Sequence, residues 1–235
     1  MPQHIGIVAV SAEGAALCYR TICAAGAGVF GRYGHPEVSL HTYPLADYMR
    51  HLEAGDWQEA GAMLLASAEK LRRAGAQLLI CPDNTVHQAL DLVRDRSPLP
   101  WLHIAEEVGK AAERRGFRRL LILGTKYLME GPVYPVKLRP LGIESDVPPP
   151  AQRQQIDTFI FDELVPGHLR DSTRAAFSEI IAGGRRRGHD AVVLGCTEIP
   201  LLIGEADSPL PVLDSTRILA QAALREAAME QGERR

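Results

Sequence analysis

Short apolar runs alternate along this chain with stretches of helical periodicity, and no other feature restricts the fold as much. In the first half the runs Ile5-Gly6-Ile7-Val8-Ala9-Val10, Val38-Ser39-Leu40-His41-Thr42 and Gln77-Leu78-Leu79-Ile80 read as strands. In the second half Leu120-Leu121-Ile122-Leu123 and Ala191-Val192-Val193-Leu194 do the same. Near-continuous Val, Ile and Leu marks strands buried on both faces, which is the habit of parallel sheets. Helices are expected at about residues 15–25, 57–74, 86–94, 106–115, 134–138, 151–164, 172–186 and 215–231, with shorter strands near 101–104, 142–144 and 208–213. Strand and helix in repeated alternation predict an α/β fold with mostly parallel sheets.

The plan of the first half recurs in the second. Two pseudo-symmetric parallel-sheet domains of flavodoxin- or Rossmann-like type are therefore expected, the first from residues 1–100 plus 209–235 and the second from 101–208. The closing helix is expected to return to the first domain. Pro148-Pro149-Pro150 reads as a loop, because regular structure resumes at once. At 235 residues the chain is long enough for a proper core in each half. A cleft between two such domains is where a small ligand is expected.

Composition narrows the partners. A formal net charge of -3 gives no electrostatic reason to expect nucleic acid. The basic groups Arg114-Arg115, Arg118-Arg119 and Arg185-Arg186-Arg187 are short and read as solvated helix C-termini. No stretch approaches the ~20 apolar residues of a membrane span. The start, Met1-Pro2-Gln3-His4, enters directly into a strand without the features of a signal peptide, so a cytoplasmic location is expected. Cys18, Cys23, Cys81 and Cys196 lack C-x-x-C spacing and form no disulfide framework. No H-E-x-x-H pattern or carboxylate cluster suggests a metal, and Gly26-Ala27-Gly28 lacks the residues of a phosphate loop or a dinucleotide fingerprint.

Two strand-end loops carry the chemistry. Cys81-Pro82-Asp83-Asn84-Thr85 follows one interior strand and Gly195-Cys196-Thr197-Glu198 follows another. Open α/β sheets bind ligands just beyond the carboxyl ends of their strands. Cys196, in a turn before a helix start, reads as a reactive, partly exposed thiol; the alternative is a structural cysteine of the core. Asp83 is either a functional carboxylate or a helix cap, since Asp-Asn-Thr is good capping chemistry. Cys81, Cys18 and Cys23 read as core residues. Asn84, Thr85 and Thr197 can offer donors to a bound carboxylate, and Thr125 and Lys126, after a third strand end, can add to them. His87 and His103 read as satisfied or solvent-exposed histidines.

Asp83-Asn84-Thr85 after Ala76-Gln77-Leu78-Leu79-Ile80-Cys81-Pro82 resembles the first active-site loop of the aspartate/glutamate racemase superfamily. The stretch Asp190-Ala191-Val192-Val193-Leu194-Gly195-Cys196-Thr197-Glu198-Ile199-Pro200 closely resembles its second loop. The resemblance extends to Gly55-Asp56-Trp57, Gly124-Thr125, Gly131-Pro132-Val133-Tyr134 and Glu163-Leu164 with Gly167. It implies a homodimeric isomerase that acts on a small carboxylate without pyridoxal phosphate, metal or other cofactor. Two thiols on opposite faces of the substrate's α-carbon exchange its proton in such enzymes, with backbone and hydroxyl donors stabilising the carbanionic state. Carried onto this chain, the catalytic pair is Asp83 and Cys196. Ser11, Asn84, Thr85, Thr125, Lys126, Thr197, Glu198 and His168 are then expected to bind substrate.

The chain departs from the family pattern in three places. Asp83 stands where the first catalytic cysteine would be; the N-terminal loop reads Ala9-Val10-Ser11-Ala12-Glu13-Gly14 where glycines are usual; and Leu164-Val165-Pro166-Gly167-His168 holds no lysine for a side-chain carboxylate. An ordinary carboxylate is a weaker base than a thiolate by on the order of 6 kcal/mol, part of which burial can recover. The expectation is a racemase or epimerase of an amino acid or related carboxylate. The alternatives are a single-thiol decarboxylase or cis–trans isomerase of the same superfamily, and a catalytically silent small-molecule-binding protein.

Overall fold

The computed structural model describes residues 2–229. It contains two four-stranded, all-parallel sheets flanked by helices, an α/β fold. By backbone proximity one compact unit runs to Glu107 and takes in the chain from Thr216 onward; the other is Val108–Ser215.

The first unit contains β1 (Ile5–Ala9), α1 (Ala12–Phe30), β2 (Val38–Thr42), α2 (Leu45–Ala54), α3 (Trp57–Arg73), β3 (Leu78–Ile80), α4 (His87–Val93) and β4 (Trp101–Leu102), and α5 (Ile104–Arg114) carries the chain out of it. Its strand order is β2-β1-β3-β4, with Ile7 beside Ile80 and Ile80 beside Leu102. Period-two alternation sorts the side chains between two layers. Ile5, Ile7, Leu78 and Ile80 pack on one face with Cys18 and Ile22 of α1, while Val8, Leu79 and Cys81 pack on the other with Tyr48, Leu52 and Leu64. Each fully buried Ile or Leu contributes about 1.5–3 kcal/mol relative to exposure.

The second unit contains β5 (Arg119–Leu123), α6 (Lys126–Glu130), α7 (Val133–Leu138), β6 (Glu144–Asp146), α8 (Pro150–Phe159), α9 (Asp171–Arg186), β7 (Ala191–Leu194), α10 (Ile199–Leu202) and β8 (Val212–Asp214). Its order, β6-β5-β7-β8, repeats the pattern of the first sheet. Leu121, Leu123, Val192 and Leu194 meet Phe177, Ile180 and Ile181 of α9 in one core. Pro150 occupies the first turn of α8, where its missing N–H costs nothing. The helix continues as a π turn over Ile160–Leu164 and is released by Gly167 at φ 85°.

α11 (Ser215–Met229) closes the chain, and Leu219, Ala220, Ala223 and Leu224 pack with Ile5 and Ile7 of β1. Its extension to Gln231, expected from the pattern, lies outside the described residues. No helix among those residues is long and apolar enough to cross a membrane.

Several local expectations are corrected. α2 and α6 are helices that the sequence reading passes over, and α1 is longer at both ends than the span expected there. Val212–Asp214, grouped above with the first domain, is an edge strand paired to β7. β6 begins at Glu144, after Gly142 turns the chain at φ 66°. Arg118-Arg119 marks no helix end: both backbone N–H groups donate to the Asp190 carboxylate, at 2.7 and 3.1 Å, and Arg119 opens β5. Cys23 is half-buried rather than a core residue.

Candidate active site

In each sheet the two central strands end in a capping loop and a motif loop. After β1, Ser11 caps α1 by accepting from Gly14 N at 3.3 Å, and after the adjacent β3 comes Asp83. After β5, Thr125 caps α6 by accepting from Leu128 N at 3.3 Å, and after the adjacent β7 comes Cys196. Ser11 and Thr125 therefore hold equivalent places, as do Asp83 and Cys196. Loops leaving the carboxyl ends of parallel strands are where this architecture presents reactive groups.

The Asp83 loop is tightly specified. Asp83 Oδ1 accepts from Val86 N at 3.1 Å, which closes the turn into α4. Asp83 is half-buried, while Asn84 and Thr85 beside it are buried. Asp83 thus fills the local capping role without being fully buried. Its carbonyl accepts from His87 Nδ1 at 2.7 Å.

Two buried neighbours define what this loop can do. Cys81 is fully buried; burial first, and the Asp83 charge second, push its thiol well above the ordinary range. It stays a thiol at neutral and moderately alkaline pH, which fits its role as a core residue. Iodoacetamide at pH 8.5 should therefore leave Cys81 unmodified in the folded protein and label it after denaturation, as read by peptide mass spectrometry; rapid labelling of the native thiol would contradict its burial. Tyr48 of α2 is also fully buried, and its phenol is pushed up by burial, then by Cys81 and Asp83. It shares a packed cluster with Cys81 and Val86, where burial disfavours the phenolate. Sequence reasoning missed it, although Leu45, Tyr48, Met49 and Leu52 have helical spacing and Gly55 follows as a left-handed cap at φ 69°.

Cys196 is only 8% exposed, less open than the sequence reading expected. The four-residue α10 behind it supplies little helix dipole. Its partner is a side chain instead: Sγ donates to Glu198 Oε2 at 2.9 Å, and Thr197 Oγ1 donates to the same oxygen at 2.7 Å. Glu198 is itself 4% exposed. This expected substrate-binding carboxylate thus accepts from two neighbouring side chains through one oxygen. The sequence pattern Cys-Thr-Glu places these groups two residues apart, but only the turn makes them converge.

Glycines make room for this turn. A Cβ on Gly195 would lie 2.6 Å from Leu128 Cδ2 and 2.8 Å from Leu123 O, and one on Gly124 would lie 3.2 Å from Gly195 O. Gly195 N also donates to Leu123 O at 2.7 Å, so the exits of β5 and β7 are in direct contact.

Two further expected substrate-binding residues, Lys126 and His168, lie on the surface of the second unit. Lys126 is exposed, with Nζ 5.0 Å from the Tyr127 ring centroid and its backbone N–H on Asp157 Oδ1 at 2.8 Å. His168 is exposed in the turn before α9, its N–H on Glu163 O at 2.7 Å. Among the described residues no group of three or more His, Cys, Asp or Glu side chains could hold a metal ion.

The sequence matches the model of the Asp/Glu/Hydantoin racemase family over residues 5–223. The chain belongs to that family. Within it, the chain is 22% identical over 191 residues to the broad specificity amino-acid racemase RacX of Bacillus subtilis (strain 168), covering 81% of each protein. The structure of an aspartate racemase homologue from Pyrococcus horikoshii OT3 is 29% identical, covers 97% of this chain and 100% of its own, and superposes with a TM-score of 0.83. The fold alone is shared with Picrophilus torridus aspartate racemase, at 20% identity and a TM-score of 0.74 over 96% of this chain and 94% of that one. The two sheets of like strand order are thus the racemase architecture, and the family's named reaction is an isomerisation.

Proposed function

We propose that this racemase-family chain is a cofactor-independent racemase or epimerase acting at the α-carbon of an amino acid or related carboxylate, with Cys196 and Asp83 as the proton-transfer pair. The observation that carries the reading is the Cys196–Glu198 hydrogen bond of 2.9 Å. It supports the reading because it sets a carboxylate within the hydrogen-bond reach of the thiol that an acid–base group needs. Asp83 contributes a carboxylate in the corresponding loop of the other sheet.

In this reading Asp83 removes the α-proton from one face of the substrate, and the bonding pair passes to the α-carbon and its carboxylate. The Cys196 thiol then delivers its proton to the opposite face. Asp83 is left protonated and Cys196 a thiolate, the state required to run the reverse enantiomer. Backbone N–H groups of Asn84, Thr85 and Thr197 and the Thr85 hydroxyl would stabilise the carbanionic intermediate. The pair is chemically unequal, because the carboxylate is the weaker base, so the two directions are expected to differ in rate.

The test is proton exchange in D₂O followed by NMR across a panel of L- and D-amino acids. Asp83→Asn should slow α-proton wash-in from one enantiomer by about 10²-fold or more, and wash-in from its mirror image by much less. Equal loss from both enantiomers would instead assign Asp83 to substrate orientation.

A further inference from the structure

His87 opens α4, just past the turn that follows Asp83, and its ring is fully buried. Nδ1 lies 2.7 Å from the carbonyl oxygen of Asp83. Nε2 lies 3.2 Å from the backbone N of Ile104 at the start of α5. A carbonyl can only accept and a peptide N–H can only donate, so the hydrogen is on Nδ1 and the lone pair on Nε2. Both contacts are satisfied together only by the neutral ring in that one tautomer. The ring packs edge-on against His103, with centroids 4.4 Å apart. β3 and β4 are neighbours, with Ile80 beside Leu102, so the imidazole joins the loop after one strand to the helix after the next.

We propose that His87 is a positioning residue for Asp83. It pins the Asp83 peptide to the first turn of α5, and the Asp83 carboxylate, already held by Val86 N at 3.1 Å, takes its direction from that peptide. The inference rests on the reading of Asp83 as a base. It adds that one buried ring sets the direction in which that base points, and that α5, the helix on which the chain leaves the first unit at Glu107, is the anchor. A misplacement of about 1 Å at a reacting group costs about 10²-fold in rate, so a group without substrate contact can matter this much.

Two isosteric substitutions separate the two hydrogen bonds. In His87→Asn the side-chain amide stands at the place of Nδ1 and keeps the donor to Asp83 O while losing the acceptor for Ile104 N. In His87→Gln the amide reaches the place of Nε2, keeps that acceptor and loses the donor to Asp83. Each variant gives up one buried hydrogen bond, so their melting temperatures should be similar. Their kinetics should not be. His87→Gln should slow α-proton exchange from the enantiomer served by Asp83 by about 10-fold to 10²-fold, with KM little changed. His87→Asn should keep most of that rate. Equal losses in the two variants, or equal slowing from both enantiomers, would reduce His87 to a structural residue and overturn the proposal.

Amide hydrogen exchange at Asn84, Thr85 and Val86 supplies a readout independent of turnover. Protection there should fall in His87→Gln and persist in His87→Asn. If the wild-type protein exchanged no α-proton from either enantiomer, the racemase reading would fail while this loop measurement still decided the role of His87. Unchanged protection in His87→Gln would reject it.

Discussion

Cys196→Ala should slow interconversion of the two enantiomers by about 10³-fold or more in both directions. A two-base cycle needs this group in each direction, as the acid that closes one half-reaction and as the base that opens the other. The substitution removes one sulfur atom from a side chain packed among Leu194, Ile199 and Leu202. Its stability cost should therefore be only about 1 kcal/mol, or a shift of about 2–4 °C in melting temperature. Glu198 keeps the Thr197 hydroxyl as a donor, so the loop is not left with an unpaired carboxylate. A folded Cys196→Ala protein with undiminished interconversion would remove the thiol from the mechanism altogether.

Gly195→Ala should damage both stability and rate, for a reason of space. Gly195 is absent from the glycines with positive φ, so an alanine meets no conformational barrier there. The obstacle is Leu123 O, 2.8 Å from the new Cβ, and that oxygen is backbone in a central strand. Leu128 Cδ2 at 2.6 Å can rotate away; the carbonyl cannot without breaking its hydrogen bond from Gly195 N. A cost of about 1–3 kcal/mol is expected from such overpacking, measured by chemical denaturation. Displacement of the following residue, Cys196, should slow proton exchange by about 10²-fold. A variant with wild-type stability and rate would show that the two strand exits have slack that the structure does not suggest.

Much of the architecture was legible because burial writes itself into local pattern. Strands covered on both faces need unbroken apolar runs, and Leu78–Ile80 and Ala191–Leu194 supply them. The motif loops were legible too, since a polar or small-residue turn straight after such a run has few other uses. Helices with weak signals were not. α2 signals itself only through the spacing of four apolar residues over about three turns, and α6 is five residues long, so neighbouring packing decides them more than propensity does. His87 and His103 illustrate the same limit: nothing in the sequence announces that both rings are completely buried.

The sequence by itself determined the α/β class, the repeated plan of the two halves, the family, and the placing of Asp83 and Cys196 at strand ends. Those properties follow from residue order and short-range periodicity. Tertiary structure decided the strand order of each sheet, the contact between Gly124 and Gly195, the packing of Tyr48 with Cys81 and Val86 and the span of His87 from Asp83 to Ile104. Each joins segments far apart in the chain, and such pairings are fixed by the packing of whole layers rather than by any local run of residues. The Cys196–Glu198 bond belongs to both levels: the motif brings the two side chains within two residues, and the turn after β7 aims one at the other.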